Sequence, residues 1–234
     1  MDNILYKYMV ERFNRELEGK KAEHRKLPFI TISREYGCPA KDIAGRVIDR
    51  LNRENEKDKQ AQRWTALSKE ILLTASEELN VNPERIRKIF NDEKRGVIDE
   101  ILNAFSEKYY YSDRKILKTL DKIILDFALH GNVVIIGRGG MAVTRHLPLG
   151  IHVRLFAPLE WRIQRLFNSG LCKTMEEAKK LSNQIDFKRN ALLKSKTKSE
   201  NYEDDFDIFY NCKYMTEEEI TDSIIQILKG KRLL

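Results

Sequence analysis

Four short stretches combine residue types suited to holding an anion. The first is Ser33-Arg34-Glu35-Tyr36-Gly37-Cys38-Pro39-Ala40-Lys41-Asp42, between an apolar run and a helix-patterned one. A turn that feeds a helix N-terminus offers unpaired N–H groups and a favourable dipole to an anion. A full phosphate loop reads G-x-x-x-x-G-K-[ST]. Lined up on Gly37, Pro39 and Ala40 occupy the second glycine and the lysine positions. Pro39 removes a backbone donor. Lys41 partly replaces the missing charge, and Asp42 falls where a metal-binding hydroxyl would lie. The competing reading is an ordinary strand–helix turn.

The second stretch is Gly137-Arg138-Gly139-Gly140, an arginine among glycines after a buried-looking run. Glycine lets backbone approach a ligand closely, and the guanidinium fork matches phosphate oxygens. In the third, Arg162 and Arg165 are three apart and share a helix face. They repel unless an anion joins them or Glu160 pairs with one. The fourth is Asp186 and Arg189, again three apart, which alone reads as a surface ion pair.

Positioning these groups requires alternating strands and helices. Residues 1–26 carry Ile4, Leu5, Tyr8, Met9, Phe13 and Leu17 on one helical stripe. Residues 28–33 read as a buried strand and 40–54 as a helix. From 65 to 130 the pattern is nearly all helical, with Asn82-Pro83 as a start signal. Strands follow at 133–137, 151–157 and 206–212, and helices after Pro158 and over 170–200. Thr216 and Glu219 form a capping box for the final helix. Strands that are apolar throughout predict a parallel sheet covered on both faces. Ligands of such sheets bind beyond the carboxyl ends of the strands, where all four stretches fall.

Composition narrows the class. The chain has 234 residues and a formal charge of +7, which suits an anionic partner. Most of that charge reads as solvated helix faces. No apolar run approaches the roughly 18–20 residues of a membrane span, and the first residues do not read as a secretory signal. Three distant cysteines, Cys38, Cys172 and Cys212, give neither a disulfide framework nor a zinc pattern, and a cytoplasmic location is expected. The four histidines lack metal-ligand spacing, and Trp64 and Trp161 read as packing residues.

The stretches ITISREYG (30–37), VVIIGRGG (133–140), HVRLFAPLEWRIQR (152–165), IDFKR (185–189) and FDIFYN (206–211) resemble the cytidylate kinase-like family of P-loop nucleoside monophosphate kinases. The resemblance covers about residues 29–230. It implies a three-layer α/β fold with about five parallel strands, a helical monophosphate-binding insert (64–115) and a lid (about 166–200). Residues 27–234 would form this domain and 1–26 a helical extension.

The resemblance implies transfer of the γ-phosphoryl group of ATP, with Mg²⁺, to a nucleoside monophosphate such as CMP or dCMP. Ser33, Arg34, Gly37 and Lys41 would lie at the ATP phosphates. Arg162 and Arg165 would face the transferring group. Arg138 and Arg189 would hold the acceptor's phosphate and Asp186 its sugar, with Asp42 on the metal. Partners would be small-molecule nucleotides. No nucleic acid or membrane is expected, and the N-terminal helix offers a route to a homo-oligomer.

The chain departs from the family pattern. Cys38-Pro39-Ala40-Lys41 stands where relatives read Ser-Gly-Gly-Arg. Ile136 and Gly139 stand where authentic cytidylate kinases have aspartates, Ser182 replaces an arginine, and Ser68 stands where an aspartate is common. The alternative is therefore a nucleotide- or phosphate-binding protein that has lost phosphoryl transfer. If a degraded phosphate loop is present, Pro39→Gly with Ala40→Lys is expected to raise ATP affinity.

Overall fold

The structure, a computed structural model, describes residues 27–55, 62–68, 121–122 and 124–234. Residues 1–26, with their expected helix and oligomer contact, lie outside the described residues. So do most of the expected insert, the Asn82 cap and the tyrosines at 109–111.

The apolar runs form strands because they can be buried on both faces. Strand β1 is Phe29–Arg34, β3 Val133–Ile136 and β4 Gly150–Phe156. They pair in parallel, with β1 between the other two. Strand β5, Ile208–Asn211, extends the sheet beside β4. A further strand, β2 (Thr65–Leu67), pairs with β3 and completes a five-stranded sheet of order β2-β3-β1-β4-β5.

Strand β2 corrects the helical reading of 65–130 at its start. Three residues are too few to display a two-residue period. The strand is fixed instead by its neighbour and by Trp64, which is buried. The Asn52 side chain grips Trp64 from both sides, accepting from its N–H at 2.7 Å and donating to its carbonyl at 3.0 Å. Both tryptophans pack against the core, as expected.

Alternate strand residues face opposite layers. Ile30, Ile32, Val134, Ile136, Val153 and Leu155 join Ile43, Val47 and Leu51 of α1 (Ala40–Asn55) and Ile220, Ile224 and Leu228 of α5 (Glu217–Gly230). Each such side chain, fully buried, contributes roughly 1.5–3 kcal/mol. Helix α5 begins with the expected capping box of Thr216 and Glu219.

The opposite face packs against α2 (Gly140–Thr144) and α4 (Met175–Thr197), with α3 (Leu159–Asn168) between β4 and α4 in the chain. A Cβ at Gly140 would lie 2.8 Å from Ile135, so α2 sits tightly on this face. The chain thus leaves β1 toward one layer and β3 toward the other. Their shared carboxyl end is the sheet's switch point, where a ligand crevice opens.

This second face buries polar groups, among them Thr31, Ser33, His152 and Arg154. Thr31 Oγ1 and His152 Nδ1 are 2.9 Å apart. Burial lowers the His152 pKa from its ordinary 6.5. Burial also opposes ionisation of Asp207, but the His152 N–H (2.8 Å) and Lys231 (2.9 Å) outweigh it and hold its pKa below 3.8. Both shifts mean that the unfolded chain binds more protons. Stability contributed by neutral His152 is present above pH 6.5 and is lost as pH falls toward the lowered folded value. The Asp207 contribution is lost below 3.8. The melting temperature should fall between pH 7.5 and 5.5, and His152→Gln should flatten that slope. An equal slope in the variant would exclude His152 as its cause.

Candidate functional site

The turn between β1 and α1 is short. Ser33 and Arg34 still belong to the strand, which leaves Glu35–Pro39 to make the turn. Its donors are largely engaged. Glu35 N–H donates to the Leu155 carbonyl at 3.0 Å, Cys38 N–H to the Glu35 carbonyl at 3.3 Å and Ala40 N–H to the Cys38 carbonyl at 2.9 Å. Tyr36 N–H donates to Asp186 Oδ1 at 2.7 Å, and Pro39 has no donor. Carboxylate and carbonyl oxygens thus occupy places that phosphate oxygens would take in an open cradle.

Arg162 locks this turn. Only 6% of it is exposed. Its Nε donates to the Ala157 carbonyl at 2.9 Å. Its Nη1 donates to the Tyr36 carbonyl at 2.9 Å and to Asp186 Oδ2 at 2.7 Å. Glu35 lies 3.3 Å from Nε and also accepts from the Ala157 N–H at 3.0 Å. The partners of Arg162 are therefore Glu35 and Asp186, not Glu160. Gly37, at φ +95°, lies against it, and a Cβ there would come within 3.0 Å of the Arg162 Cβ. The left-handed backbone and the close approach both require glycine.

Arg165 points elsewhere. It is 3.5 Å from Asp42 and 3.7 Å from Glu217, on the α1–α5 side. Asp42 is exposed and has this arginine beside it. Among the described residues no three carboxylate, histidine or cysteine side chains gather as metal ligands. One carboxylate beside an arginine does not make a resident magnesium site. Lys41 lies on the exposed side of the first turn of α1.

A second group of cations meets at the switch point. Arg189 Nη1 donates to the Arg34 carbonyl at 3.3 Å, and its guanidinium lies 5.5 Å from the centre of the Tyr36 ring. Asp186 is 3.9 Å from Arg189, so one carboxylate touches both arginines of this wall. The Arg34 guanidinium crosses to Gly137, where an added Cβ would lie 1.9 Å from Nη1. Gly137, Arg138 and Gly139 all have left-handed backbones, at φ +70°, +57° and +69°. For arginine that conformation costs about 1 kcal/mol or more, and such strain concentrates at functional sites. Across the turn, Lys196 lies over Gly139, with a hypothetical Cβ 2.7 Å from its Cδ.

Arg34, Arg189 and Asp186 are thus brought to one crevice, and the backbone of Arg138 follows Gly137 at its edge. Arg162 and Gly37 form its rigid margin, and Arg165, Asp42 and Lys41 stand on the outer side of the turn. Four participants were not singled out in the sequence. Glu35 and Tyr36 lay within a quoted stretch, where a carboxylate at a strand end facing arginines was the available signal. Lys196 follows Arg189 by two helical turns and shares its face. Glu217 had no sequence signal linking it to Arg165.

The three cysteines are free thiols. Hydrogen bonding to Cys212, then burial, pushes the Cys38 pKa up, while Cys38 and Arg165 pull Cys212 down against burial.

Among the described residues, no helix is long and apolar enough to cross a membrane. Residues 29–213 match the protein family described as the cytidylate kinase-like family. No curated protein matches the chain. The crystal structure of an uncharacterized protein from Eubacterium ventriosum has a similar fold, with a TM-score of 0.60 and 16% identity over 88% of this chain and 99% of that one.

Proposed function

Because the chain belongs to the cytidylate kinase-like family, we propose that it binds a nucleoside monophosphate of the CMP or dCMP type and phosphorylates it from ATP. The reading is carried by the meeting of Arg34 and Arg189 at the β1–β3 switch point, with Asp186 at its margin and Arg138 next to Gly137 in the chain. Arginine forks there match the oxygens of a phosphate monoester. In this reading the Asp186 carboxylate accepts from a sugar hydroxyl beside them.

Phosphoryl transfer depends mainly on positioning and on neutralising charge. In this reading Arg138 and Arg189 hold the acceptor's phosphate, Arg34 covers the gap to the donor side, and Lys41 and Arg165 meet the donor's phosphates. Arg162 acts through the turn it holds. Mg²⁺ would arrive on the nucleotide, with Asp42, in the first turn of α1, as its candidate carboxylate. A cytoplasmic setting, where ATP and nucleoside monophosphates are available, fits this activity.

One observation favours a second reading, a nucleotide- or phosphate-binding protein without transfer. The N–H groups of Glu35, Tyr36, Cys38 and Ala40 already have protein acceptors. The donor's phosphates would have to displace Asp186 from Tyr36 to use that turn.

The test is ADP release from Mg²⁺–ATP with each nucleoside monophosphate, beside calorimetric binding of the same ligands. The expected result is turnover with CMP or dCMP. Arg189→Ala and Arg138→Ala should each weaken monophosphate binding by about 1.5–3 kcal/mol, the scale of a lost charged hydrogen bond. Binding without turnover would favour the second reading. Unchanged affinity in both variants would remove the acceptor assignment.

A further inference from the structure

Strand β4 carries an arginine in the packed layer between sheet and α4. Only 5% of Arg154 is exposed. One of its guanidinium nitrogens donates to Asn190 Oδ1 at 3.2 Å. The guanidinium carbon lies 5.9 Å from the centre of the Phe206 ring. It forms no ion pair with a carboxylate among the described residues. An ion removed from water without a counter-charge costs several kcal/mol. One neutral acceptor and one ring offset only part of that.

The remaining donors of Arg154 are not sealed in. Among the described residues, the buried side-chain polar atoms without any partner are oxygens of Ser182 and Gln184. The unbonded nitrogens of Arg154 are therefore not fully enclosed, and water reaches them. They lie next to the crevice in the sheet register. The β1 partner of Arg154 is Ser33, one residue before Arg34. Asn190 follows Arg189, which bonds the Arg34 carbonyl.

We propose that Arg154, oriented by Asn190, is a binding residue for the acceptor's phosphate group and favours a doubly charged phosphate monoester. The proposal rests on the acceptor reading above. An incoming phosphate supplies the missing counter-charge and acceptors in the planar arrangement that a guanidinium fork fits. Binding at Arg154 does not require the N–H groups of the turn before α1.

Binding of CMP, cytidine and inorganic phosphate should be measured by calorimetry and thermal shift for the full chain, Arg154→Met and Arg189→Ala. Arg154→Met should lose about ten- to a hundredfold in CMP affinity. It should also lose the thermal stabilisation given by inorganic phosphate while cytidine binding is unchanged. If the methionine variant does not fold, Arg154→Gln is read in the same way. A folded variant with wild-type affinity for CMP and phosphate overturns the proposal. If Arg189→Ala alone weakens CMP, the acceptor reading stands and this proposal fails. If the wild type binds no nucleotide but gains Arg154-dependent stability from phosphate, this anion site stands and the acceptor reading fails. No effect of phosphate or nucleotide on the wild type overturns both.

Discussion

Arg162→Ala is expected to destabilise the fold by about 3–5 kcal/mol, the cost of breaking a buried ion pair from one side. The side chain is 7% exposed, and its two carboxylate partners, Glu35 and Asp186, are 27% and 16% exposed. Removing it strands both carboxylates near each other and deprives the Ala157 and Tyr36 carbonyls of donors. Arg162→Lys keeps a charge but not the fork, so it should recover only part of the loss. Arg165→Ala should cost less than about 1 kcal/mol, because its pairs are longer and exposed. Urea unfolding of the three variants decides the matter. Equal costs at 162 and 165 would mean that Arg162 does not lock the turn. The Tyr36 amide should also exchange faster in Arg162→Ala, since Asp186, its acceptor, loses its anchor.

Ala40→Lys should destabilise the protein rather than improve ATP binding. From the sequence, Ala40 stands at the lysine position of a phosphate loop, and lysine there is expected to help. The structure buries Ala40 to 3% exposure among Ile43, Ala44 and the other residues of the α1–α5 core. A lysine must either bury an unpaired ammonium or force the first turn of α1 away from the sheet. Overpacking alone costs about 1–3 kcal/mol, and a buried charge adds several more. The expected result is a loss of at least about 3 kcal/mol in urea unfolding, with Ala40→Ser nearly neutral. A stable Ala40→Lys protein with higher ATP affinity would show that residue 40 can reach the phosphates and would support the degraded-loop reading.

Much of the sheet was legible in the sequence because its signals are local. Val133–Ile136 is apolar throughout and Phe29–Ser33 is β-branched or apolar apart from Ser33, and only strands covered on both faces tolerate such runs. The Thr216–Glu219 box closes within a single turn, so four residues specify it. β2 was not legible. Three residues, Thr65–Leu67, carry no period, and β3 and the Asn52 grip on Trp64 fix them from elsewhere in the chain.

For the site, residue types and spacing alone single out the arginines at 34, 138, 162, 165 and 189 and Asp186. Tertiary structure alone decided their division of labour. Arg162 and Arg165 share a helix and lie three residues apart, yet one is buried in the turn and the other meets Asp42 and Glu217. Asp186 bonds Tyr36 across a separation of 150 residues, and Arg189 reaches Arg34 across 155. No spacing rule covers such distances, because a charged side chain's role follows from desolvation and from its partners, and both are set only when the chain is packed.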